Sequence, residues 1–442
     1  MAGIFKAYDI RGIYPTEINE DIAHKIGIAI SQFLGKGTVV VGRDMRTSSL
    51  SLFQHLSSGL NEGGLDIIDI GLVTTPMISF ATAHYHYDGG MMITASHNSK
   101  EYNGLKICKR NAHPVSYETG IGEIEKKIQA PSKSTVRHKK GKIYTKDVFD
   151  DYVQHVLRFS KKVKKLKVVV DAGNGMGGVI APKLFKFLPC DMIPLYFELD
   201  GTFPHHDANP LEPENMQDLI KEVLKHKADL GVAFDGDADR VMFVDNEGQI
   251  VSADIATALI AKEFLKHHPG ETILHDLRSS WIVKEEIEKL GGKAKMCRVG
   301  HAFIKQALRE MNGIFAGELS GHYYFRDNFF ADSAAIALVM MLNVISEEDK
   351  PFAKIIAPLK RYHSTGELNS KVKDPDQLMN KIEKKYAHGN VLHLDGLSVE
   401  FDDWWFNLRK SNTEPLLRLN VEAKTSELLK EKSKEILDII RG

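Results

Sequence analysis

Three carboxylates alternate with small residues in the segment DGDADR, at Asp235, Asp237 and Asp239. Like charges this close repel each other, so a bound cation is the simplest reason to hold them in one ordered loop. All three donors are hard oxygens, which favours Mg²⁺ over Zn²⁺. An EF-hand begins similarly, but its later glutamate is absent here and the preceding residues are typical of a strand. The alternative interpretation is a solvent-exposed acidic turn.

A candidate nucleophile, Ser96, lies in the segment TASHN, shortly after the apolar run Gly89–Ile93. A serine becomes a nucleophile only with an adjacent base or through prior covalent modification. The alternative is an ordinary loop serine that caps the next helix. Lys106, eight residues after Asn98, offers a point charge suited to phosphate, or a proton carrier if its pKa is lowered.

Two further polar loops have residue types that suit a sugar phosphate. In GELSGH, Glu318 and Ser320 lie two residues apart between glycines and can grip vicinal sugar hydroxyls, although a polar β-turn explains the segment equally well. In RKSNTEP, the Arg409 fork, hydroxyl side chains and backbone N–H groups form an anion cradle that suits phosphate. A hydrogen-bonded surface turn is the alternative for this second loop.

The segment GNGMGG at 173–178 satisfies the G-x-G-x-x-G pattern of dinucleotide-binding turns and follows the strand-like run KVVV. Asp191 lies near the spacing expected for a ribose ligand, but it follows a Pro-Cys pair instead of closing an obvious second strand. This interpretation also leaves the serine, acidic and arginine loops without a role, so we disfavour it. The adjacent pair His205–His206 projects poorly onto one metal ion and indicates a structured loop.

The composition is that of an ordinary globular protein. The chain has 442 residues, of which 43 % are apolar and 26 % charged, and its formal net charge is −1. At roughly 100–200 residues per domain, this length predicts about two to four domains. The balanced charge gives no support to nucleic-acid binding, which needs a basic face. It leaves room for a locally basic pocket that binds one small anion.

Membrane and secreted classes are disfavoured. The first residues lack the charged, apolar and small-residue regions of a signal peptide. The apolar run at Ala334–Leu342 is shorter than the about 20 residues that span a bilayer, and it predicts a buried helix. Cys108, Cys190 and Cys297 are odd in number and far apart, so we expect no disulfide framework and a cytoplasmic location.

Several short β-branched runs precede Gly- or Asp-bearing loops and then helical patterns, which is typical of α/β units around a mainly parallel sheet. Such units present functional loops at the carboxyl ends of their strands. Breaks at 130–142, near 245–248 and near 358–368 predict connections, and residues 425–441 predict an amphipathic helix. The strand-like runs are Thr38–Val41, Lys167–Val170, Leu230–Phe234 and Thr272–Leu274.

Five segments together resemble the α-D-phosphohexomutase family, and especially its phosphomannomutase/phosphoglucomutase branch. They are YDIRG, TASHN, DGDADR, GELSGH and RKSNTEP, in this order over nearly the whole chain. Each motif alone is weak, but five in order are highly specific. The resemblance implies four domains around a central cleft: three related α/β domains at 1–145, 146–247 and 248–360, and a smaller α+β domain at 361–442.

The resemblance also implies roles for matching positions. Ser96 would be the phosphoserine, and the three aspartates would hold Mg²⁺ together with an oxygen of its phosphate, with Arg240 beside them. Arg11, Lys106 and His301 resemble residues that assist proton transfer and balance charge at the reacting oxygens. The positions implied to bind substrate are Tyr8 and Arg278 in the cleft, Glu318 and Ser320 on the sugar O3 and O4 hydroxyls, and Arg409, Ser411, Asn412 and Thr413 on the non-reacting phosphate.

The implied activity is the reversible interconversion of hexose 1-phosphate and hexose 6-phosphate, with mannose and glucose as the sugars. It proceeds through a 1,6-bisphosphohexose, and glucose 1,6-bisphosphate or mannose 1,6-bisphosphate would be the activator. The expected partners are small hexose phosphates, without nucleic acid or membrane, and the chain would be a monomer or weak dimer. A phosphoglucosamine mutase, which Leu319 and Asn412 disfavour, is one alternative. The other is a non-catalytic sugar-phosphate-binding protein of the same fold.

Three positions depart from the family pattern. Ala238 stands where many relatives have Gly, Ser99 where Pro is frequent, and Leu319 where Met is common. We expect these changes to be small, because the implied metal ligands and the pair that would contact the sugar are retained.

Overall fold

The computed structural model describes residues 3–129, 139–410 and 416–442. Within this part of the chain the strands form four sheets. None of the described helices is long and apolar enough to cross a bilayer. Each run that the sequence marked as strand-like lies in a strand, which confirms the predicted α/β character of the chain.

The first sheet ends in the TASHN loop. Its elements are β1 (Ile10–Ile13), α1 (Glu20–Leu34), β2 (Thr38–Arg43), α2 (Ser49–Glu62), β3 (Asp66–Leu72), α3 (Thr75–His84), β4 (Gly89–Ile93), β5 (Tyr102–Lys109), β6 (His113–Pro114), α4 (Gly122–Gln129) and β7 (Ile143–Thr145). The strand order is β1-β5-β4-β2-β3-β7, with β6 beside β5. The pairs β4–β2, β2–β3 and β3–β7 are parallel, and β5 is antiparallel to both β1 and β4.

The second sheet carries the DGDADR segment at the end of its central strand. Its elements are α5 (Phe149–Leu157), β8 (Lys167–Asp171), α6 (Gly177–Phe185), β9 (Asp191–Leu195), α7 (Gln217–His226), β10 (Leu230–Phe234), β11 (Val241–Asp245) and β12 (Ile250–Val251). The order is β12-β11-β10-β8-β9. Strand β8 is parallel to β9 and β10, whereas β11 is antiparallel to its neighbours.

The third sheet carries the GELSGH segment between two short strands. Its elements are α8 (Ala253–His267), β13 (Thr272–Asp276), α9 (Trp281–Lys289), β14 (Lys293–Cys297), α10 (His301–Glu310), β15 (Phe315–Gly317), β16 (Tyr323–Phe325), β17 (Ala331–Asp332), α11 (Ala334–Glu347) and α12 (Phe352–Ile356). The order is β14-β13-β15-β16-β17, with β13 parallel to β14 and β15. The apolar run predicted to be a buried helix is α11, which confirms that prediction.

The fourth sheet is antiparallel throughout, in the order β18-β22-β21-β20-β19. Its elements are β18 (His363–Lys371), α13 (Pro375–Tyr386), β19 (Asn390–Leu392), β20 (Leu397–Glu400), β21 (Trp404–Lys410), β22 (Leu416–Ala423) and α14 (Ser426–Arg441). Helix α14 confirms the predicted amphipathic helix. Together the four sheets agree with the expected three α/β units and one α+β unit.

Two of the predicted breaks contain regular structure. The segment near 245–248 is a hairpin turn between β11 and β12, in which Asp245 Oδ1 accepts bonds from the backbone N–H groups of Glu247 and Gln249, both at 2.9 Å. The second sheet therefore continues to Val251, beyond the predicted boundary at 247. The segment near 358–368 contains the start of β18. Residues 130–138 of the first break lie outside the described residues, and the exact domain boundaries stay predictions.

The hydrophobic cores divide the molecule unequally. One core runs continuously from α3 through the second and third sheets and includes Phe80, Tyr152, Phe243 and Leu338. A second core lies within the first unit. The fourth sheet packs against α13 and α14 around a core of its own, which includes Phe406. The fourth unit is therefore held to the rest by an interface rather than by a shared core.

That interface contains partly buried carboxylates from both sides. Glu422 on β22 accepts bonds from the Trp281 backbone N–H at 3.0 Å and from the Trp405 indole at 2.9 Å. Asp254 on α8 accepts a bond from the Ser280 backbone N–H at 3.1 Å. Burial first, and the nearby Glu422 carboxylate second, raise the pKa of Asp254 to about 8. Burial also raises the pKa of Glu422.

We predict that Asp254→Asn flattens the dependence of the unfolding free energy on pH. The folded chain holds the Asp254 proton more tightly than the unfolded chain, whose carboxyl titrates near 3.8. The wild type should therefore lose stability as the pH rises from about 4 to about 8. Asn cannot ionise and retains an acceptor for the Ser280 N–H group. Urea unfolding across this range checks the prediction, with the exposed Asp402→Asn as control, and parallel curves for Asp254→Asn and wild type would contradict it.

Candidate active site

Ser96 lies in the loop that follows β4, at the carboxyl end of a strand whose residues are all buried. The Ser96 backbone N–H donates to Thr94 Oγ1 at 2.8 Å. Its backbone has a φ of 51°, in the left-handed region that L-residues adopt rarely and at a cost of about 1 kcal/mol or more. The residue is 1 % exposed. A buried polar residue in this strained conformation needs strong local support.

The acidic loop after β10 meets this serine directly. Ser96 Oγ donates to Asp235 Oδ2 at 2.8 Å. The other Asp235 oxygen accepts the backbone N–H groups of Asp239 and Arg240, both at 3.1 Å, so the loop folds around its first carboxylate. Asp237 Oδ2 accepts from Thr75 Oγ1 at 2.5 Å, which ties the loop to α3 of the first unit. All three aspartates are buried.

Glycines allow these loops to approach each other. A Cβ atom on Gly236 would lie 2.5 Å from the Ser96 carbonyl oxygen, and one on Gly175 would lie 2.8 Å from the Gly236 carbonyl oxygen. The three loops therefore stack backbone against backbone. This contact gives Gly175, within GNGMGG, a packing role. Ala238 has a φ of 53°, in the left-handed region that favours Gly.

The donor set of the acidic loop fits a divalent cation. Asp235, Asp237 and Asp239 each offer an oxygen, and these oxygens all lie within 4.8 Å of one another. Asp237 Oδ1 is buried and has no hydrogen-bond partner among the described residues. Three carboxylate oxygens, one of them unsatisfied, suit a hard cation such as Mg²⁺. The acidic loop is therefore a candidate metal site.

Lys106 on β5 provides a positive charge to the same loop. Its Nζ atom donates to Asp237 Oδ2 at 2.7 Å and to Asp239 Oδ2 at 2.5 Å. Burial opposes the charged form, but attraction to Asp237, Asp239 and Asp235 raises the pKa of Lys106. A role for Lys106 as a proton carrier would require a lowered pKa, and its pKa is instead raised. Its environment makes it a fixed positive charge.

The aspartates titrate unequally. Burial first, and repulsion from Asp239 and Asp237 second, raise the pKa of Asp235 well above its usual range. Burial acts the same way on Asp239, but Lys106 and His322 overcome it and hold the pKa of Asp239 well below its usual range. Asp235, which contacts Ser96, therefore has less charge compensation from the chain than Asp239.

The amino-terminal YDIRG segment and α10 form another wall of the site. Arg11 donates to Asn98 Oδ1 in the serine loop and to Asp9 Oδ2, the latter at 2.5 Å. Tyr8 packs edge-on against His301 with ring centroids 4.8 Å apart. Burial lowers the pKa of His301 well below its usual range, so the ring is neutral. Its Nε2 atom is buried and has no hydrogen-bond partner among the described residues.

The GELSGH segment is joined to the acidic loop through His322. The Nε2 atom of His322 lies 3.2 Å from Asp239 Oδ1, and its Nδ1 atom lies 3.2 Å from Glu318 Oε2 and 2.9 Å from Ser320 Oγ. Burial opposes protonation, but the two carboxylates, Asp239 foremost, raise the pKa of His322 to about 9. The imidazolium therefore links the metal site with the predicted sugar-binding pair.

Arginines from three units surround this cluster. Arg240 Nε lies 3.7 Å from Asp235 Oδ2, beside the acidic loop as the resemblance implies. Arg278 after β13 pairs with Asp276 at 2.8 Å and lies 3.6 Å from Glu318. In the fourth unit, Arg409 donates to Glu367 at 2.7 Å. The predicted substrate residues Ser411, Asn412 and Thr413 lie outside the described residues.

Glu367 on β18 contacts arginines of both the third and the fourth units. Arg278 lies 3.5 Å from Glu367, which also accepts from Arg418 at 3.1 Å. Glu367 therefore joins the predicted phosphate-binding residue Arg409 to the third unit. Sequence reasoning missed Glu367 because its partners lie on distant strands. It also missed His322, although its position four residues after Glu318 within GELSGH was a signal.

Comparison with known proteins gives the family. Models of phosphoglucomutase/phosphomannomutase alpha/beta/alpha domains I, II and III match residues 2–135, 150–248 and 252–362, and that of the C-terminal domain matches 367–439. A protein of Xanthomonas campestris named as phosphohexose mutases is 39 % identical over 444 residues, 99 % of each chain. The chain belongs to the phosphoglucomutase/phosphomannomutase family. The predicted family and its four-domain α/β architecture are thereby confirmed.

Other members of this family are similar over nearly their full length. The phosphomannomutase of Escherichia coli strain K12 is 39 % identical over 431 residues, 95 % of this chain and 94 % of that protein. A crystal structure of a phosphoglucomutase/phosphomannomutase family protein from Burkholderia thailandensis superposes with a TM-score of 0.92 at 33 % identity, covering 100 % of this chain and 98 % of that one. The four-unit architecture is therefore shared with a solved member.

We predict that Asp237→Asn weakens Mg²⁺ binding. The variant loses one charged metal ligand. Loss of a residue that only hydrogen-bonds to a ligand lowers metal affinity about 10-fold, so the affinity here should fall by more than that. Isothermal titration with MgCl₂ measures it directly. Asp229→Asn, just before the amino end of the same strand β10, is the matched control and should bind like wild type. Equal affinities for Asp237→Asn and wild type would show that the metal binds elsewhere.

Proposed function

We propose that the protein is a phosphohexose mutase that interconverts the 1- and 6-phosphates of mannose and glucose. The observation that carries the proposal is the bond from Ser96 Oγ to Asp235, at 2.8 Å, within a buried loop that fits a divalent cation. A serine hydroxyl held against a metal site is the arrangement that a phosphoserine donor requires. The names of the related phosphomannomutases and phosphohexose mutases support the same activity.

Phosphoryl transfer runs in both directions through Ser96. A free hydroxyl of the sugar phosphate attacks the phosphorus on Ser96, the bond from phosphorus to Ser96 Oγ breaks, and a 1,6-bisphosphohexose forms. The attacking hydroxyl gives up its proton during this step. After the bisphosphate turns over in the cleft, Ser96 Oγ attacks the phosphorus of its other phosphate. The bond from that phosphorus to the sugar oxygen breaks, and the sugar oxygen takes up a proton. The product leaves and the enzyme is phosphorylated again.

Charge stabilisation is divided among several groups. Asp235, Asp237 and Asp239 would hold Mg²⁺, which supplies positive charge to the equatorial oxygens of the transferring group. Lys106 and Arg240 add fixed positive charge from the chain itself. We assign acceptance of the hydroxyl proton to His301, whose Nε2 atom is buried and has no hydrogen-bond partner among the described residues. Arg11 would orient the serine loop through Asn98 while balancing charge.

Substrate recognition would use the third and fourth units together. Glu318 and Ser320 would bind the sugar hydroxyls, and Arg278 would face the substrate in the cleft. The non-reacting phosphate would be bound by Arg409, Ser411, Asn412 and Thr413. Tyr8 would line the cleft. Because both ends of the bisphosphate are phosphates, one distal clamp can hold either orientation. The separate core of the fourth unit suits a domain that closes over the intermediate and excludes water.

The finer biological setting belongs to the same proposal. We propose a cytoplasmic enzyme that acts on small hexose phosphates, is activated by glucose 1,6-bisphosphate or mannose 1,6-bisphosphate, and works as a monomer or weak dimer. Leu319 and Asn412, at positions where the amino-sugar branch usually has other residues, favour mannose and glucose over glucosamine. A phosphoglucosamine mutase is the alternative, and direct comparison of the substrates tests it.

Steady-state assays with Mg²⁺ and glucose 1,6-bisphosphate should show conversion of mannose 1-phosphate and glucose 1-phosphate to the 6-phosphates. Glucosamine 1-phosphate should turn over more slowly than both. A faster reaction with glucosamine 1-phosphate would assign the chain to amino sugars instead. Lack of conversion for all three sugars would contradict mutase function and favour a binding protein.

Ser96→Ala should lower kcat by about 10⁴-fold or more, since it removes the phosphoryl carrier. Mg²⁺ and sugar-phosphate binding should persist, because the three aspartates and the substrate-binding residues remain. Ser99→Ala, a serine in the same loop, is the matched control and should keep near-normal kcat. Coupled assays and calorimetry measure the two properties separately. Substantial turnover by Ser96→Ala would show that another group carries the phosphate.

A further inference from the structure

The guanidinium of Arg46 lies beneath the serine loop and is completely buried, with a side-chain exposure of 0 %. It follows β2, about fifty residues before Ser96 in the chain. Every hydrogen bond that it donates beyond its own segment ends on a backbone carbonyl of the serine loop. The acceptors are Ser99 at 2.7 Å, Tyr102 at 3.0 Å, Ser96 at 2.8 Å and Asn98 at 2.5 Å.

The fork of Arg46 is saturated by these contacts. Four N–H groups bind the loop carbonyls, and Nε lies 3.2 Å from Asp44 Oδ2, whose side chain is also fully buried. Asp44 is itself fixed, because its Oδ1 atom accepts from Ser49 Oγ at 2.5 Å. A guanidinium has five donors in a rigid plane, whereas an ammonium has three on a flexible stem. The four N–H groups at the tips of the Arg46 fork are therefore all taken by the loop carbonyls, and none of these four is left for a substrate phosphate.

These four carbonyls define the path of the loop that presents Ser96. The Ser96 backbone is left-handed, and its Oγ must still reach Asp235 at 2.8 Å. The carbonyl of Ser96 itself is one of the acceptors, so Arg46 fixes the peptide next to the reacting oxygen. Loss of the fork would free this peptide to relax toward a less strained conformation.

The second unit presses on Arg46 from the other side. The Phe203 ring lies under the guanidinium, with its centroid 5.1 Å from the Arg46 Cζ atom. A Cβ atom on Gly201 would lie 2.6 Å from Arg46 Cα. Arg46 is thus held between the serine loop of the first unit and the unit that carries the acidic loop.

We propose that Arg46 is a positioning residue for phosphoryl transfer, which sets the orientation of Ser96 Oγ toward the acidic loop without touching substrate. This inference rests on the proposed mutase function. Because Arg46 acts on the nucleophile and not on the sugar or distal phosphate, its loss affects kcat rather than KM. A misplacement of the order of 1 Å costs about 100-fold in rate.

The test compares Arg46→Lys with Arg309→Lys. Arg309 is a matched control, because its guanidinium also donates to backbone carbonyls, those of Asn111, Ala112 and Phe329, at a contact between the first and third units. For Arg46→Lys we expect kcat to fall by about 10- to 100-fold, with the KM for mannose 1-phosphate within about threefold of wild type. Amide hydrogen exchange should quicken in residues 94–102. Arg309→Lys should change neither property.

A kcat for Arg46→Lys within twofold of wild type would overturn the proposal. An equal loss in Arg309→Lys would also overturn it, since the effect would then follow from general packing. If Arg46→Lys does not fold, Gly201→Ala serves as a second variant, because it displaces Arg46 without removing it. Gly201→Ala should lower kcat and leave KM near the wild-type value. An unchanged kcat in this variant refutes the proposed role of Arg46. If the wild type lacks mutase activity, the proposed function fails, and amide exchange still decides whether Arg46 holds the loop.

Discussion

The site depends on burying three carboxylates beside a serine hydroxyl. Unpaired buried charges cost several kcal/mol each, so such a loop is stable only where positive charge surrounds it. The chain supplies that charge from different units: Lys106 from the first, Arg240 from the loop itself, and His322 from the third. Asp235 is less compensated than Asp239, and it is the carboxylate that Ser96 contacts. A cation bound here would complete the balance next to the proposed nucleophile, Ser96 Oγ.

This charge requirement explains why the cluster is assembled from several sheets. Each α/β unit brings a loop from the carboxyl end of a strand, and the loops meet where glycines remove side chains from the contact. The shared core of the first three units fixes these loops relative to one another. The fourth unit has its own core and reaches the site through Glu367 and its arginine partners. In the proposed mechanism, the groups for phosphoryl transfer thus lie on units with a shared core, and part of the substrate-binding set lies on a unit with a core of its own.

The sequence predicted the acidic loop, the serine loop and the GELSGH pair, because residue type and spacing within each segment carry the signal. It also predicted α11 and α14 from apolar pattern alone. It could not predict Arg46, whose partners are backbone carbonyls about fifty residues away and leave no trace in composition. Nor could it give the direction of the Lys106 pKa, which depends on carboxylates from another unit. The sequence did not distinguish a hairpin turn at 245–248 from a connection between domains, because both use the same polar residues.

Transfer of a labelled phosphate from Ser96 to substrate is the most direct measurement. The enzyme is first phosphorylated with radiolabelled glucose 1,6-bisphosphate and freed of excess label, and peptide mass analysis checks that the phosphate is on Ser96. It is then mixed with unlabelled mannose 1-phosphate and Mg²⁺ in a single turnover. The account predicts that the label leaves Ser96 and appears in mannose bisphosphate and mannose 6-phosphate. Label that stays on the protein, sits on another residue, or is released only as inorganic phosphate would contradict it.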